Sequence, residues 1–437
     1  MAEFIGFLRA KQLDNCEITT PSGSQTLKFQ VKSEKLLTIP LFTQQVLKIG
    51  RSKTSDIKLD NPTISLKHAL IWSVKFDSQT PPIVYVHDCS RNGIFLNEVE
   101  MKTGETRMLN DGDQLEFRTA AIFSFESMIN EPIMEESQIK PDYKINEQWI
   151  VTSNLIGSGS FGSVFIAKNE KLDKKLYAVK ILSAKGSGQI WNASYYEASL
   201  LANIDHPNII QIHDAIATNS YVYIVQDLVC GGDLFSYITK GNKLKAIPER
   251  EVIFIIFQIM KALQFLHKNL NIVHRDLKLD NILLQIPQPR TKIYLCDFGT
   301  AKDLSRSGGR TNTAVGTIEY SAPEVFKRNH KGKSITPYNF KCDIWSLGVV
   351  THILLSGKSP FYSENAEDIL ISARKGYLNF NIKQFNGVSH KAQSFIRSLL
   401  KVNMDDRLDI DECFEHVWIK NNKMKLETFY REMVDQN

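Results

Sequence analysis

Between Gly157 and Glu324 the chain carries, in order, residues of the types that handle phosphate esters. Gly157-Ser158-Gly159-Ser160-Phe161-Gly162 is a G-x-G-x-x-G turn. The pattern is weak alone, since it also opens dinucleotide-binding helices and arises by chance. The run after it, Ser163-Val164-Phe165-Ile166-Ala167, reads as a strand and not as a helix, so the loop is expected at the tip of a hairpin. Glycines there let backbone N–H groups approach phosphates with no Cβ in the way. Ala178-Val179-Lys180 sets a lysine in a second strand-like run, and Glu197 falls on a helical stretch near Ser194 to Asn203. A strand lysine is most often a solvated surface residue, so its meaning depends on its company. That company is His274-Arg275-Asp276-Leu277-Lys278-Leu279-Asp280-Asn281, Asp297-Phe298-Gly299 and Ala322-Pro323-Glu324.

With these motifs in this order, the chain resembles the eukaryotic protein kinases across roughly Trp149 to Ile419. The resemblance implies ATP and Mg²⁺ as cofactors, and a transfer in which the protein positions the nucleotide, neutralises charge and aims the acceptor hydroxyl. It assigns Gly157, Gly159, Gly162 and Val164 to the nucleotide, and Lys180, held by Glu197, to the α- and β-phosphates. Asn281 and Asp297 would hold the metal, which favours oxygen donors. Asp276 would orient the acceptor hydroxyl and take its proton, and Lys278 would stabilise the phosphoryl group. Lys278 with Thr317 is similar to the serine/threonine branch. A pseudokinase reading needs a broken position, and every position is filled.

Further residues follow from the same resemblance. Glu324 with Arg407, and Asp343 at the head of Asp343-Ile344-Trp345-Ser346-Leu347-Gly348, resemble structural pairings behind the catalytic loop. Thr311 and Thr313, near Arg306 and Arg310, are expected as activation-loop phosphosites that pair with Arg275 and order the segment. A solvated polar loop is the plain alternative. Asp233 and Asp280 match acidic positions that, in the calmodulin-kinase-like branch, bind a basic residue upstream of the acceptor. Substrates with arginine three residues before the Ser or Thr are therefore expected, although either aspartate could equally be a cap or a surface charge. Gln226 aligns as the residue behind the adenine, where most relatives are apolar.

A second set lies nearer the amino terminus. Gly50-Arg51, Ser65-Leu66-Lys67-His68 and Asp88-Cys89-Ser90-Arg91-Asn92-Gly93 resemble a forkhead-associated (FHA) domain, a phosphothreonine-binding module. Taken singly each is more often a turn or core residue. Arginine can grip a phosphate bidentately, more strongly than a neutral donor does. The resemblance implies Arg51 and Ser65 on the phosphate, His68 bracing the loop and Asn92 holding the peptide backbone. Leu66 and Arg91 stand where relatives carry a polar residue and a threonine, so preference beyond phosphothreonine stays open.

These residues need elements to position them. From about Leu27 to Met128 short alternating apolar bursts (LLTIPLF, HALIWSVKF, IVYVHD, QLEFRT, AIFSFES) are separated by turn residues such as Asn110-Asp111-Gly112-Asp113. Period two with such spacing predicts an all-β sandwich over residues 1–130. Residues 131–148, with Glu131-Pro132 and Lys140-Pro141, read as a linker. Residues 149–421 give strands and then helical patterns at Glu249 to Lys268, Asp343 to Leu355, Ala366 to Lys375 and His390 to Lys401, predicting a bilobal α+β kinase fold. Residues 422–437 are expected as a tail. The fold class is thus multidomain, a β-sandwich followed by a kinase.

Composition fits this reading. At 43% apolar and 23% charged residues the chain is an ordinary globular protein, which excludes wholesale disorder. A net charge of +5 over 437 residues is too mild to argue for nucleic acid. Six dispersed cysteines without a Cys-x-x-Cys pair support neither a zinc site nor a disulfide framework, so a reducing interior is expected. The longest apolar run, Val252 to Phe257, is far short of a membrane span. Neither nucleic acid nor membrane is expected as a direct partner.

A phosphothreonine reader joined to a serine/threonine kinase resembles the checkpoint effector kinases that respond to DNA breaks. That implies a nuclear protein recruited to a phosphorylated scaffold, where two copies, as a dimer, phosphorylate one another. The Ser-Gln and Thr-Gln pairs at Ser24, Thr43, Ser78 and Ser137 are dispersed and not clustered. With the short amino-terminal extension and Gln226, this makes the chain similar to the meiosis-specific yeast branch, which promotes recombination between homologues. A general damage-checkpoint kinase, and a scaffold acting through its reader alone, are the alternatives.

Overall fold

A computed structural model describes residues 3–13, 16–19, 26–29, 37–76, 80–129, 142–159, 162–171, 175–183, 204–241, 243–298, 300–303, 317–326 and 339–434. The chain divides into two compact units near residue 140.

Alternation builds the first unit. In Thr38–Phe42, Ile39 and Leu41 are buried while Thr38 and Pro40 are exposed, as period two requires when one face of a strand meets a core. One sheet runs in the order Val99–Glu100, Phe95–Leu96, Gln114–Phe117, Ala121–Ser127, Phe4–Leu13, Thr38–Phe42. The other runs Thr106–Leu109, Ile83–Asp88, Ala69–Val74, Val46–Gly50, Ile57–Leu59, Cys16–Thr19, Thr26–Phe29. Leu8, Phe117 and Phe123 of the first sheet share one core with Ile49, Ile57 and Val86 of the second, which makes the unit the expected sandwich. Phe4–Leu13 enlarges that expectation, because the alternating bursts begin only near Leu27. This strand pairs on both sides, with breaks in register between Phe4 and Gly6 and between Ala10 and Gln12. Such irregularities interrupt the period that would have marked it.

The second unit opens with a six-stranded sheet in the order Tyr143–Lys144, Trp149–Gly159, Gly162–Asn169, Leu176–Ser183, Tyr221–Asp227, Ile212–Ala217. Tyr143 pairs with Val151 and Lys144 with Ile150, so the sheet begins inside the segment read as linker. The helix expected near Ser194 to Asn203 lies outside the described residues. The large lobe is helical: Glu249–Gln264, running on through Phe265–Asn269 as a wider turn, then Lys341–Ser356, Ala366–Lys375 and His390–Leu399. Glu249 and Glu251 place negative charge at the start of the first of these, where the helix dipole favours it. Lys341–Ser356 is buried nearly all round, the mark of a helix at the centre of a lobe.

Residues read as a tail form a docked helix, Lys423–Met433, with Leu426 and Tyr430 buried. The Tyr430 hydroxyl donates to Asn208 Oδ1 at 2.7 Å. Asn208 in turn donates to Gln258 Oε1 at 3.1 Å and to Ile293 O at 2.9 Å, so the last helix completes a buried polar network. Among the described residues no helix is long and apolar enough to cross a membrane.

Candidate functional sites

Two short antiparallel ribbons of the second unit frame the segment expected to be catalytic. Ile272–Val273 pairs with Lys302–Asp303, and Ile282–Leu284 with Ile293–Leu295. His274 to Asn281 spans the gap between them, and Asp297 follows the second ribbon by two residues. Arg275 and Asp297 adopt φ of 70° and 57°, a conformation that side chains with a Cβ occupy at a cost.

The backbone around Asp276 is pinned from below. Asp343, completely buried, accepts from His267 Nε2 at 2.8 Å, His274 N at 2.9 Å and Arg275 N at 2.8 Å. Burial alone would raise its pKa, but the hydrogen bond and charge of His267 and the bond from Arg275 N outweigh it and hold Asp343 below the usual carboxylate value. His267 was not singled out in the sequence. A polar residue in the apolar run ending at Asn269 was the signal available.

Both oxygens of Asp276 are held. Oδ1 accepts from Thr317 N and Oγ1, each at 3.0 Å, and Oδ2 lies 3.1 Å from both Lys278 Nζ and Asn281 Nδ2. Lys278 also donates to Thr317 Oγ1 at 3.1 Å. Thr317, read only as a marker of the branch, is therefore part of the constellation. Asn281 Nδ2 donates to Asp276 O at 2.8 Å as well, which leaves Oδ1 as the amide's ligand atom.

Lys180 comes from the sheet. It lies directly opposite Val164 on the next strand, so the two side chains share a face, and its Nζ sits 2.7 Å from Asp297 Oδ1. Gly162 has φ of 143°, and a Cβ there would stand 2.1 Å from Ile181 O, which admits glycine alone. Gly157 has open space where a Cβ would project, and Gly159 ends its strand. Glu197, Thr311 and Thr313 lie outside the described residues. An ammonium and a carboxylate meet at 2.7 Å, and the backbone of Asn281, whose amide oxygen is left for a ligand, bonds the residue before that carboxylate, a donor set suited to a triphosphate and a hard divalent cation.

One expected structural pairing flanks this centre. Glu324 and Arg407, 3% and 1% exposed, form a two-pronged pair at 2.8 and 3.1 Å, and the guanidinium lies 5.1 Å from the Trp345 ring centre. Asp233 is a cap: Oδ1 accepts from Ser236 N at 2.7 Å and Oδ2 from Ser236 Oγ at 2.9 Å. Burial, with a contribution from the Asp280 charge, raises its pKa. No ion pair to Asp233 or Asp280 occurs among the described residues.

In the sandwich the predicted loops converge. Arg51 N donates to Ser65 O at 2.9 Å and Arg51 Nε to Ile64 O at 3.1 Å. Ser65 Oγ accepts from Arg91 N at 3.2 Å. His68 is fully buried and its Nδ1 accepts from Ser65 N at 3.0 Å, which places the ring proton on Nε2. Burial lowers its pKa to about 4, so it braces the loop as a neutral ring. Asn92 Nδ2 donates to Thr63 O at 2.7 Å. The Asn92 backbone carbonyl accepts from Arg118 Nε at 2.8 Å, a tether absent from the sequence reading. A Cβ on Gly50 would stand 2.4 Å from Leu66 O, so glycine there permits the two loops to touch.

Residues 150–419 match the protein kinase domain and residues 47–118 the FHA domain. The chain belongs to the FHA-domain-containing serine/threonine protein kinases. This kinase aligns over 430 residues at 41% identity with the meiosis-specific serine/threonine-protein kinase MEK1 of Saccharomyces cerevisiae, covering 90% of this chain and 84% of that one. It is 35% identical over 389 residues to the meiosis-specific serine/threonine-protein kinase mek1 of Schizosaccharomyces pombe, covering 87% and 83%. A probable serine/threonine-protein kinase of Dictyostelium discoideum, fhkC, is 30% identical over 397 residues, covering 89% and 64%. As a kinase of this family the chain transfers phosphate from ATP with Mg²⁺, and its FHA domain binds phosphothreonine peptides.

Proposed function

We propose that this kinase acts in the meiotic recombination checkpoint, where its FHA domain recruits it to a phosphothreonine-bearing scaffold and its activity favours recombination between homologues. The reading draws on the similarity along most of the chain to two kinases named as meiosis-specific. A nuclear location follows from it. Two copies gathered on one scaffold phosphorylate one another at Thr311 or Thr313, with Arg275 receiving the new charge.

The reaction is carried by the chain's own residues. Asp276 Oδ1 and Oδ2 orient the acceptor hydroxyl and take its proton, held at that task by Thr317, Asn281 and Lys278. Lys278 Nζ, 3.1 Å from Asp276, stabilises charge on the transferred group. Lys180, supported by Glu197, fixes the nucleotide's phosphates against the glycine turn and Val164. Asn281 Oδ1 and Asp297 hold Mg²⁺, which supplies charge neutralisation when bound. Beside the cleft Asp233, whose pKa is raised chiefly by burial with a smaller contribution from the Asp280 charge, and Asp280 form an acidic pair. A substrate arginine three residues before the acceptor would offset their charge. The observation that carries the enzymatic reading is the convergence of Thr317, Lys278 and Asn281 on the Asp276 carboxylate.

In the FHA domain Arg51 and Ser65 take the phosphate, His68 braces Ser65, and Asn92 holds the peptide backbone. Replacing the chromosomal copy with Arg51→Ala and, separately, Asp276→Asn separates recruitment from chemistry. Loss of interhomologue products with both variants supports the reading. Loss with Arg51→Ala alone makes the chain a scaffold, and an equal defect in dividing cells after DNA breakage favours a general checkpoint role.

A further inference from the structure

Thr54 and Thr313 are the two positions in the sequence where a serine or threonine follows an arginine by three residues. Thr313 is one of the expected activation-segment sites. Thr54 lies in the sandwich, and the arginine before it is Arg51, the phosphate ligand of the phosphothreonine site. Ser55 N donates to Ser52 O at 3.1 Å, closing a β-turn that presents Thr54 at its third position. Thr54 is exposed. Its hydroxyl lies 2.9 Å from Ser52 Oγ, and its N–H donates to that same oxygen at 3.1 Å. Arg51 is exposed too, and with Nε committed to Ile64 O, its two terminal nitrogens remain for a phosphate.

We propose that Thr54 is a phosphorylation site of this kinase itself, and that its phosphate closes the phosphothreonine pocket. The inference rests on the preference for arginine three residues upstream and on Arg51 as phosphate ligand. The Thr54 hydroxyl attacks the γ-phosphorus of ATP, a new P–O bond forms as the bond to the β,γ-bridging oxygen breaks, the proton passes to Asp276 and ADP leaves. Three residues of chain span at most ~10 Å. With their Cα atoms no further apart than that, the new group, of charge roughly −2, lies in the neighbourhood of the Arg51 guanidinium, at a separation comparable to the Debye length. There it either pairs with Arg51 or repels the incoming phosphothreonine, and both weaken binding. Before modification Arg51 serves the reader; in the kinase cleft the same side chain is the recognition element that marks Thr54. Copies crowded on one scaffold would thus release one another, giving recruitment a limit set by kinase activity.

The test uses the full chain, purified unphosphorylated, and a degenerate phosphothreonine peptide library on beads with its unphosphorylated counterpart as blank. Wild type, Thr54→Ala and Asp276→Asn are incubated with Mg-ATP, mapped by mass spectrometry and measured for retention. The expected result is phosphate on Thr54 and Thr313 in wild type and on neither in Asp276→Asn. Retention should fall about tenfold or more for wild type, a change of roughly 1.4 kcal/mol or more, and stay constant for Thr54→Ala, which keeps full kinase activity. Phosphate on Thr313 with Thr54 unmodified overturns the proposal while leaving the kinase reading intact. So does a modified Thr54 with unchanged retention. Protein that ignores the library even before Mg-ATP is added overturns both the reader assignment and the feedback built on it.

Discussion

Lys180 Nζ lies 2.7 Å from Asp297 Oδ1, joining a strand of the small lobe to a carboxylate 117 positions further along the chain. The contact ties the sheet that carries the glycine turn to the segment that follows the second catalytic ribbon. It also sets a cation beside the carboxylate proposed to hold the metal, so Lys180 is expected to act on chemistry more than on folding. Lys180→Met is expected to lower kcat/KM by roughly 10²- to 10³-fold, the usual effect of losing one preorganised charge donor. Steady-state kinetics with ATP, alongside circular dichroism showing an unchanged fold, check this.

Glu324 and Arg407 behave differently because both are buried. Alanine at either position strands the partner's charge, at a cost of about 3 to 5 kcal/mol. Urea denaturation of Arg407→Ala should show a loss of that size, with activity falling in step with the folded fraction.

The last helix is anchored through one hydroxyl. Tyr430→Phe keeps the ring that packs edge-on against Phe257 but leaves buried Asn208 Oδ1 without its donor, which costs about 1 to 3 kcal/mol. Denaturant titration measures it, and a neutral substitution would mean that the helix is held by packing alone.

Stability of the sandwich carries a pH signature. Burial lowers His68 to about 4, and burial with the Lys67 charge lowers His87 to about 4. Between about 6.5 and about 4 the unfolded chain binds protons that the folded chain refuses, so these rings make stability fall as pH falls through that window. The stability gap between wild type and His68→Gln should narrow from pH 7 to pH 4.5 in denaturation curves. A gap independent of pH would contradict the assignment.

Much of this arrangement could be read before any coordinates. Motifs confined to a few residues, such as Asp276 to Asn281 or Gly50-Arg51, are legible because their chemistry is local. What escaped depends on long-range packing. Thr317 meets Asp276 across 41 positions and His267 meets Asp343 across 76, and neither spacing leaves a periodic trace. The helix Lys423–Met433 was read as a tail because its burial rests on a few apolar residues and on a partner, Asn208, some 222 positions away. Phe4–Leu13 was missed for a local reason, since its register breaks erase period two. Asp233, left open between substrate binding and capping, shows its local role in the bond from Ser236 N.

The central claim is that Asp276, Lys180, Asn281 and Asp297 form a working phosphoryl-transfer site. Its most direct test is transfer of label from radioactive ATP to a peptide bearing arginine three residues before a threonine, using the full chain and its Asp276→Asn variant. Mg²⁺-dependent labelling by the wild type and its loss in the variant are predicted. Equal labelling by the two proteins, or none by a wild type modified on its activation segment, would contradict it.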